Sequence, residues 1–215
     1  MVIIMNQNLV YVKDRLYTKC NDKLQWYDEV VIKQDNYYLR EWSPFSSKIS
    51  AAIKKGFILP DLQNKDVLYL GSSTGTTVSH LSDLEAKSII GVDISSFTML
   101  PFLELSKKRD NVFPLLFDAG HLEDCDLLKG QKFDFVFQDI AQKNMVETFI
   151  DLIKLFAKPG THAIALKTNS IDSTKQPKQV LDISVRKFQE AKIRVEKVLD
   201  LNPFEKNHYF IIVKV

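Results

Sequence analysis

A short apolar run, Val67-Leu68-Tyr69-Leu70, breaks into Gly71-Ser72-Ser73-Thr74-Gly75-Thr76-Thr77, and a helical stretch from Val78 to Leu84 follows. Glycines between a strand and a helix let the backbone pass close to a ligand, and the first helical turn offers free N–H donors. The spacing G-x-x-x-G is not the dinucleotide-binding G-x-G-x-x-G. Nor is it a phosphate loop, since no G-K-[ST] follows. Alone, it is equally simple punctuation. Three acids add weight to it. Asp93 lies about 20 residues further on, at the end of the next apolar run, where a carboxylate accepts hydrogen bonds from a ribose diol. The same residue is as well placed to cap a following helix. Asp118 and Asp139 close two further runs. Acids at the carboxyl ends of three successive strands, beside a glycine turn, mark the edge where open α/β sheets bind ligands. The ligand these residues suit is a nucleoside-bearing cofactor.

The elements that must position these residues can be read from periodicity. Ser46 to Gly56 fits a helix, with Pro60 beyond its end. Apolar runs at Val67–Leu70, Ser88–Val92, Val112–Phe117, Phe133–Phe137 and His162–Leu166 predict buried parallel strands. Met145, Phe149, Leu152, Ile153 and Phe156 form one stripe of an amphipathic helix, which Lys158-Pro159-Gly160 ends. A helix from about Pro177 to Ala191 leads to Val195–Leu201 and Tyr209–Val215. No helix separates these last two, so they should pair antiparallel. Residues 46–215 therefore predict an α/β, doubly wound domain with a seven-stranded, mostly parallel sheet and an antiparallel last strand. Residues 1–45 differ. Leu9–Val12, Leu16–Thr18 and Trp26–Ile32, separated by Asn-Asp and Gln-Asp-Asn turns, predict a small N-terminal antiparallel β unit.

Bulk composition narrows the partners. With 215 residues, 45% hydrophobic, and a net charge of +2, the chain is ordinary globular material without a basic arm. No arginine-rich segment or aromatic RNA-binding signature is present, so a nucleic-acid partner would need other molecules to hold it. Cys20 and Cys125 stand far apart with no metal-ligand spacing, which predicts neither a disulfide nor a metal site. The start MVIIMNQN lacks a signal peptide's charged region, and no apolar run nears the ~18 residues of a membrane span. A soluble, cytoplasmic protein with no membrane contact is expected.

Several segments resemble the archaeal fibrillarin family. They are Leu39-Arg40-Glu41-Trp42-Ser43-Pro44-Phe45-Ser46-Ser47-Lys48, Leu68-Tyr69-Leu70-Gly71 with Gly75-Thr76-Thr77 and Ser79-His80, and Asp139-Ile140-Ala141-Gln142. Lys167 with Ser170-Ile171-Asp172, and Pro203-Phe204-Glu205-Lys206-Asn207-His208, complete the set. The resemblance spans residues 39–208 and departs at Asp93, where the family commonly carries Glu. It implies a Rossmann-like S-adenosylmethionine methyltransferase fold, with S-adenosyl-L-methionine as cofactor. It also implies methyl transfer to ribose 2′-hydroxyls of rRNA and tRNA, as the catalytic subunit of a box C/D ribonucleoprotein. The implied partners are a box C/D guide RNA and substrate RNA, a Nop-family scaffold protein, and a kink-turn-binding protein of the ribosomal type.

Carried over residue by residue, the family's catalytic set is Lys48, Asp139, Lys167 and His208. Strand order alone brings Asp139, Lys167 and His208 to one cleft; Lys48 joins them only through the resemblance. The cofactor set is Gly71, Gly75, Thr76, Thr77, Asp93, Ile94, Asp118, Ala119 and Asp139–Gln142. A free lysine, with a pKa near ~10.4, cannot accept a proton at neutral pH unless a second cation and burial lower it. Lys167 is thus expected to be the base, depressed by Lys48, with Asp139 holding both lysines and His208 completing the network. Two other readings stay open: a stand-alone RNA 2′-O-methyltransferase of the heat-shock type, and a non-catalytic assembly scaffold.

Overall fold

In the computed structural model, residues 2–6, 8–21 and 25–215 are described, residues 2–6 by their backbone alone. The amino-terminal strands are β1 (Val2–Asn6), β2 (Leu9–Val12), β3 (Arg15–Cys20), β4 (Val31–Lys33) and β5 (Tyr38–Glu41). They form an antiparallel sheet of order β1-β2-β3-β5-β4. Alternation sorts its side chains. Leu9 and Leu16 face the main core, while their neighbours Val10 and Tyr17 join Leu39 on the opposite face. The expected strand over Trp26–Ile32 is a turn for most of its length, and only Val31–Lys33 pairs. The reason is local: the Glu29 carboxylate accepts from the backbone N–H groups of Trp26 and Tyr27, which closes the chain on itself.

Beyond residue 46 the chain alternates as expected. It runs α1 (Lys48–Lys54), β6 (Asp66–Leu70), α2 (Thr76–Asp83), β7 (Ser88–Asp93), α3 (Ser96–Ser106), β8 (Val112–Leu116) and β9 (Phe135–Gln138). Then follow α4 (Met145–Phe156), β10 (Thr161–Lys167), the short α5 (Thr168–Ile171), α6 (Pro177–Glu190), β11 (Arg194–Asp200) and β12 (His208–Lys214). The seven-stranded sheet has the order β11-β12-β10-β9-β6-β7-β8, with β12 antiparallel to both of its neighbours. Both faces are covered over the inner parallel strands, which is why these read as unbroken apolar runs; β8, expected to be buried, is an edge strand that leaves Phe113 and Leu116 exposed. Val67 and Tyr69 of β6 face one cluster with α1, α2 and α3; Leu68 and Leu70 face the other with α4 and α6. A helix after Asp93 was one reading of that residue, but the span of α3 was not marked by periodicity. Its sequence, SFTMLPFLELS, shows no apolar period, contains Pro101, and leaves Phe97 and Leu100 exposed while burying Phe102 and Leu105.

Because β12 runs opposite to the parallel strands, its first residue reaches the same edge as their last. His208 lies directly across from Lys167. That edge also carries the turns after β6, β7, β8 and β9.

The two sheets are joined through charge. The side chain of Arg40, on β5, has no exposed surface. Its guanidinium donates to Asp83 Oδ2 at 2.8 Å, to Ser79 Oγ at 2.9 Å, and from Nε to Glu29 Oε1 at 2.8 Å. Asp83 also accepts from Arg109 at 2.8 Å and from the Thr18 hydroxyl at 2.7 Å. His80 stacks on Trp42, and burial first, then Arg40 and Arg109, holds its imidazole well below the ordinary value. Removing one partner of a buried ion pair strands the others without solvent. Arg40→Ala should therefore lower unfolding free energy by about 3–5 kcal/mol in urea titration; a loss under about 1 kcal/mol would mean that the acids find compensation elsewhere.

Candidate active site

A cleft of ≈ 270 Å³ opens over the carboxyl ends of β6, β7, β8 and β9. Its lining includes Gly71, Asp93, Ile94, Asp118, Ala119 and the run Asp139 to Gln142, each singled out from sequence. Ser73, Val92 and Phe117 line it too; they lie in the glycine turn and at two strand ends but were not singled out as site residues. Gly71 is confined by its surroundings. It takes φ +79°, and a Cβ there would lie 2.2 Å from the Asp139 carbonyl oxygen, so any side chain would push the turn after β6 off the end of β9.

The two carboxylates at the far side of the cleft keep acceptor capacity. Asp93 Oδ2 accepts from Ser73 N–H at 2.8 Å and Oδ1 from Ser95 N–H at 2.9 Å, so it ties the glycine turn to the start of α3. The Thr98 hydroxyl also donates to Oδ1 at 3.3 Å, so of the carboxylate's roughly four acceptor sites Oδ2 keeps room for a ribose hydroxyl. Asp118 Oδ1 accepts from Gly120 N–H at 2.8 Å, and its other oxygen meets no donor among the described residues. Ile94, Phe117 and Ala119 supply apolar surface beside them. This donor set fits an adenosyl cofactor: acceptors for hydroxyls and an amino group, with an apolar slot for a ring.

Gly75, Thr76 and Thr77 do not line the cleft. Gly75 precedes α2 at φ +90°, packed against Phe102, Leu105 and the Tyr27 hydroxyl. Thr77 is buried, and its hydroxyl donates to Ser47 Oγ at 2.9 Å. Ser47 caps α1, whose first residue is Lys48. Thr77 thus positions the neighbouring helix rather than the cleft wall.

At the β9 end of the cleft, charged groups converge from four elements. Lys48 Nζ lies 2.7 Å from Glu205 Oε1 and 3.9 Å from Asp139 Oδ2. Asp139 follows β9, Lys167 ends β10, and His208 opens β12. The Phe45 and Phe204 rings meet edge-on at 5.4 Å, holding the turn before α1 against the connection that carries Glu205. Thr168 donates from both N and Oγ1 to the Asn207 carbonyl, fixing the ends of β10 and β12 together. The structure thus brings all four predicted catalytic residues to one place. It adds Glu205, which lay unremarked within the Pro203–His208 segment. A carboxylate three residues before a candidate histidine was the available signal.

Electrostatics revise one expectation. Burial would lower the Lys48 ammonium, but Asp139 and Glu205 outweigh it and raise its pKa above the ordinary value. Lys48 is therefore a compensated cation rather than a free one. The main holder of Lys48 is Glu205, not Asp139. Burial also raises the Asp139 carboxyl above its ordinary value, against the pull of Lys48, His208 and Lys167, with Glu205 adding to the push. Asp139 keeps 24% of its side-chain surface open to the cleft.

A doubly wound sheet with an antiparallel last strand, and acids lined along a cleft at its carboxyl edge, defines a Rossmann-like methyltransferase fold. The sequence profile of the fibrillarin family matches residues 4–215. The chain belongs to the fibrillarin family. A fibrillarin-like rRNA/tRNA 2′-O-methyltransferase of Picrophilus torridus is 36% identical over 201 residues, covering 93% of each chain. Among solved structures, Aeropyrum pernix fibrillarin with natively bound S-adenosyl-L-methionine is similar with a TM-score of 0.84 and 30% identity. The match covers 95% of this chain and 92% of that one. A fibrillarin/Nop5p complex gives a TM-score of 0.85 and 38% identity, with 97% of each chain covered. Among the described residues, no helix is long and apolar enough to cross a membrane.

Glu205 should be readable through its neighbour. Since its charge raises the Asp139 pKa, Glu205→Gln should shift the Asp139 titration to lower pH. Carboxyl carbon NMR of the two proteins would check this, and an unmoved midpoint would show that Glu205 does not act on Asp139.

Proposed function

We propose that this chain is an S-adenosyl-L-methionine-dependent RNA ribose 2′-O-methyltransferase, the catalytic subunit of a box C/D guide-RNA ribonucleoprotein acting on rRNA and tRNA. The observation that carries this reading is the junction of the cleft with the Lys48–Asp139–Glu205–His208 cluster: Asp139 belongs to both. A group bound in the cleft and a hydroxyl bound at the cluster therefore share a wall. Relatives named for this activity, and one solved with the cofactor, support it. A non-catalytic scaffold would have no use for acids and cations gathered at one cleft.

S-adenosylmethionine supplies an already activated methyl group, so what the protein must add is position and a path for the hydroxyl proton. Asp93 would receive the cofactor's ribose hydroxyls and Asp118 its adenine amino group, with Gly71 and Asp139–Gln142 beside the methionine portion. A ribose hydroxyl is a weak acid. In place of Lys167, the base expected from sequence, we assign this role to Asp139: with its raised pKa it is a stronger base than an ordinary carboxylate and accepts the proton as the new bond forms. Lys48, fixed as a cation by Glu205, stabilises charge developing on the oxygen. Lys167 and His208, facing each other across β10 and β12, hold the ribose. The modest net charge suits an enzyme brought to its RNA by others. We assign those roles to a guide RNA, a Nop-family scaffold and a kink-turn-binding protein, the scaffold being supported by the fibrillarin/Nop5p complex.

The test is transfer from labelled S-adenosylmethionine to RNA paired with a box C/D guide, with and without the scaffold and kink-turn proteins. Methylation of one guide-selected ribose, only in the full mixture, is the expected result. Activity on unguided RNA would favour a stand-alone enzyme. In the same assay Asp139→Asn should lose roughly 10²–10⁴-fold in turnover; retention of activity would remove Asp139 as the base. Asp93→Ala should weaken cofactor binding about tenfold or more by calorimetry, as loss of a charged hydrogen bond requires. Wild-type affinity in that variant would displace the ribose from Asp93.

A further inference from the structure

Along the carboxyl edge of the large sheet the functional groups follow a spatial order. The cofactor cleft covers the ends of β6 to β9, and the charged cluster lies over β9, β10 and β12. Beyond the cluster, over the ends of β12 and β11, is a second cavity of ≈ 450 Å³. It is walled by the turn entering α6, with Gln176 and Lys178, and by the β11–β12 connection, with Asn202, Lys206 and Asn207; Tyr209 completes it.

Its chemistry is unlike that of the cofactor cleft. Two lysines, three residues with side-chain amides and a tyrosine line the second cavity. Lys178 and Lys206 are exposed and make no ion pair among the described residues, whereas Lys175, a few residues away, pairs with Asp172. The one acid in the lining, Asp200, turns Oδ1 to its own loop, accepting from Asn202 N–H at 2.8 Å. The wall is also rigidly tied to the cluster. Lys206, Asn207 and His208 are consecutive; His208 Nδ1–H donates to the Lys206 carbonyl at 2.8 Å, and Thr168 holds the Asn207 carbonyl.

We infer that this cavity holds the phosphodiester backbone of the substrate RNA strand beside the ribose that is methylated, with Lys178 and Lys206 as the phosphate partners. The inference rests on the proposed RNA methylation. A strand whose 2′-hydroxyl meets the cluster has the cofactor on one side along the edge, so its continuation lies on the other, where the free cations are. Amide side chains suit phosphate and sugar oxygens, and unpaired lysines suit a polyanion by displacing its counterions.

The experiment compares wild type with Lys178→Glu/Lys206→Glu in the assembled guide-RNA particle, reading KM for target RNA across a salt series. The double variant should raise KM at least tenfold, and the alanine pair should flatten the dependence of log KM on log salt by about 1.4, the value for two phosphate contacts on a single strand. Cofactor affinity by calorimetry should be unaltered. Lys154→Glu, an exposed lysine at the other end of α4, controls for charge and should leave KM alone. An unchanged KM and salt slope in both lysine-pair variants, with an active wild type, overturns the inference while leaving the methylation reading intact. A wild-type particle that methylates no RNA overturns both.

Discussion

The Arg40 guanidinium carries its charge where charge is expensive, and the arrangement around it decides where the cofactor edge sits. It has no solvent, so it must be surrounded by acceptors, and these come from two sources: Glu29 in the amino-terminal segment, and Ser79 and Asp83 on α2. A buried pair of this kind adds little net stability over an apolar core but tolerates few alternative geometries. The amino-terminal sheet and α2 therefore dock in one register. Ser79 passes the constraint on, since its hydroxyl donates to the Thr76 carbonyl in the first turn of α2, and the Tyr27 hydroxyl donates to the Thr74 carbonyl within the glycine turn. The turn after β6 is thus held from outside its own sheet.

A second chain of constraint starts from the same helix. Thr77 to Ser47, and Ser47 to the start of α1, set the position of Lys48, and Glu205 then fixes its ammonium. The two acids beside Lys48 raise its pKa, while burial, with a smaller push from Glu205, raises that of Asp139, so each holds its proton more tightly than in water. A cation that stays charged and a carboxylate with increased basicity are complementary parts for removing a proton from an alcohol.

Much of this was legible in the sequence because it follows from strong, local rules. The five apolar runs became five parallel strands, since strands covered on both faces need apolar residues at every position; only the edge strand β8 leaves some of them exposed. Asp93, Asp118 and Asp139 reached the cleft because parallel strands deliver their last residues to one edge. What escaped depends on long-range partners. Helix α3 has no apolar period because it buries Phe102 and Leu105 on one side and leaves the equally apolar Phe97 and Leu100 in the open on the other. The Trp26–Ile32 segment has strand-like composition, but a single carboxylate, Glu29, claims its N–H groups. Glu205 sits 157 residues from the lysine it holds, and no spacing rule reaches that far. Two lysines and an acid look like mutual repulsion until the second acid is placed.

The position of β12 bears on how the molecule is assembled in time. This strand follows β10 and β11 in the chain yet lies between them in the sheet. Until it enters, β10 has an unpaired edge and β11 has no neighbour at all, so neither can settle by local pairing. Insertion of β12 completes the ladder on both sides and, in the same motion, brings His208 opposite Lys167 and Glu205 to Lys48. Closure of the sheet and completion of the charged cluster are then one event. An intermediate lacking that strand would have its nucleoside cleft in outline but no means of handling a proton, and its open edges would be exposed to pairing with other chains.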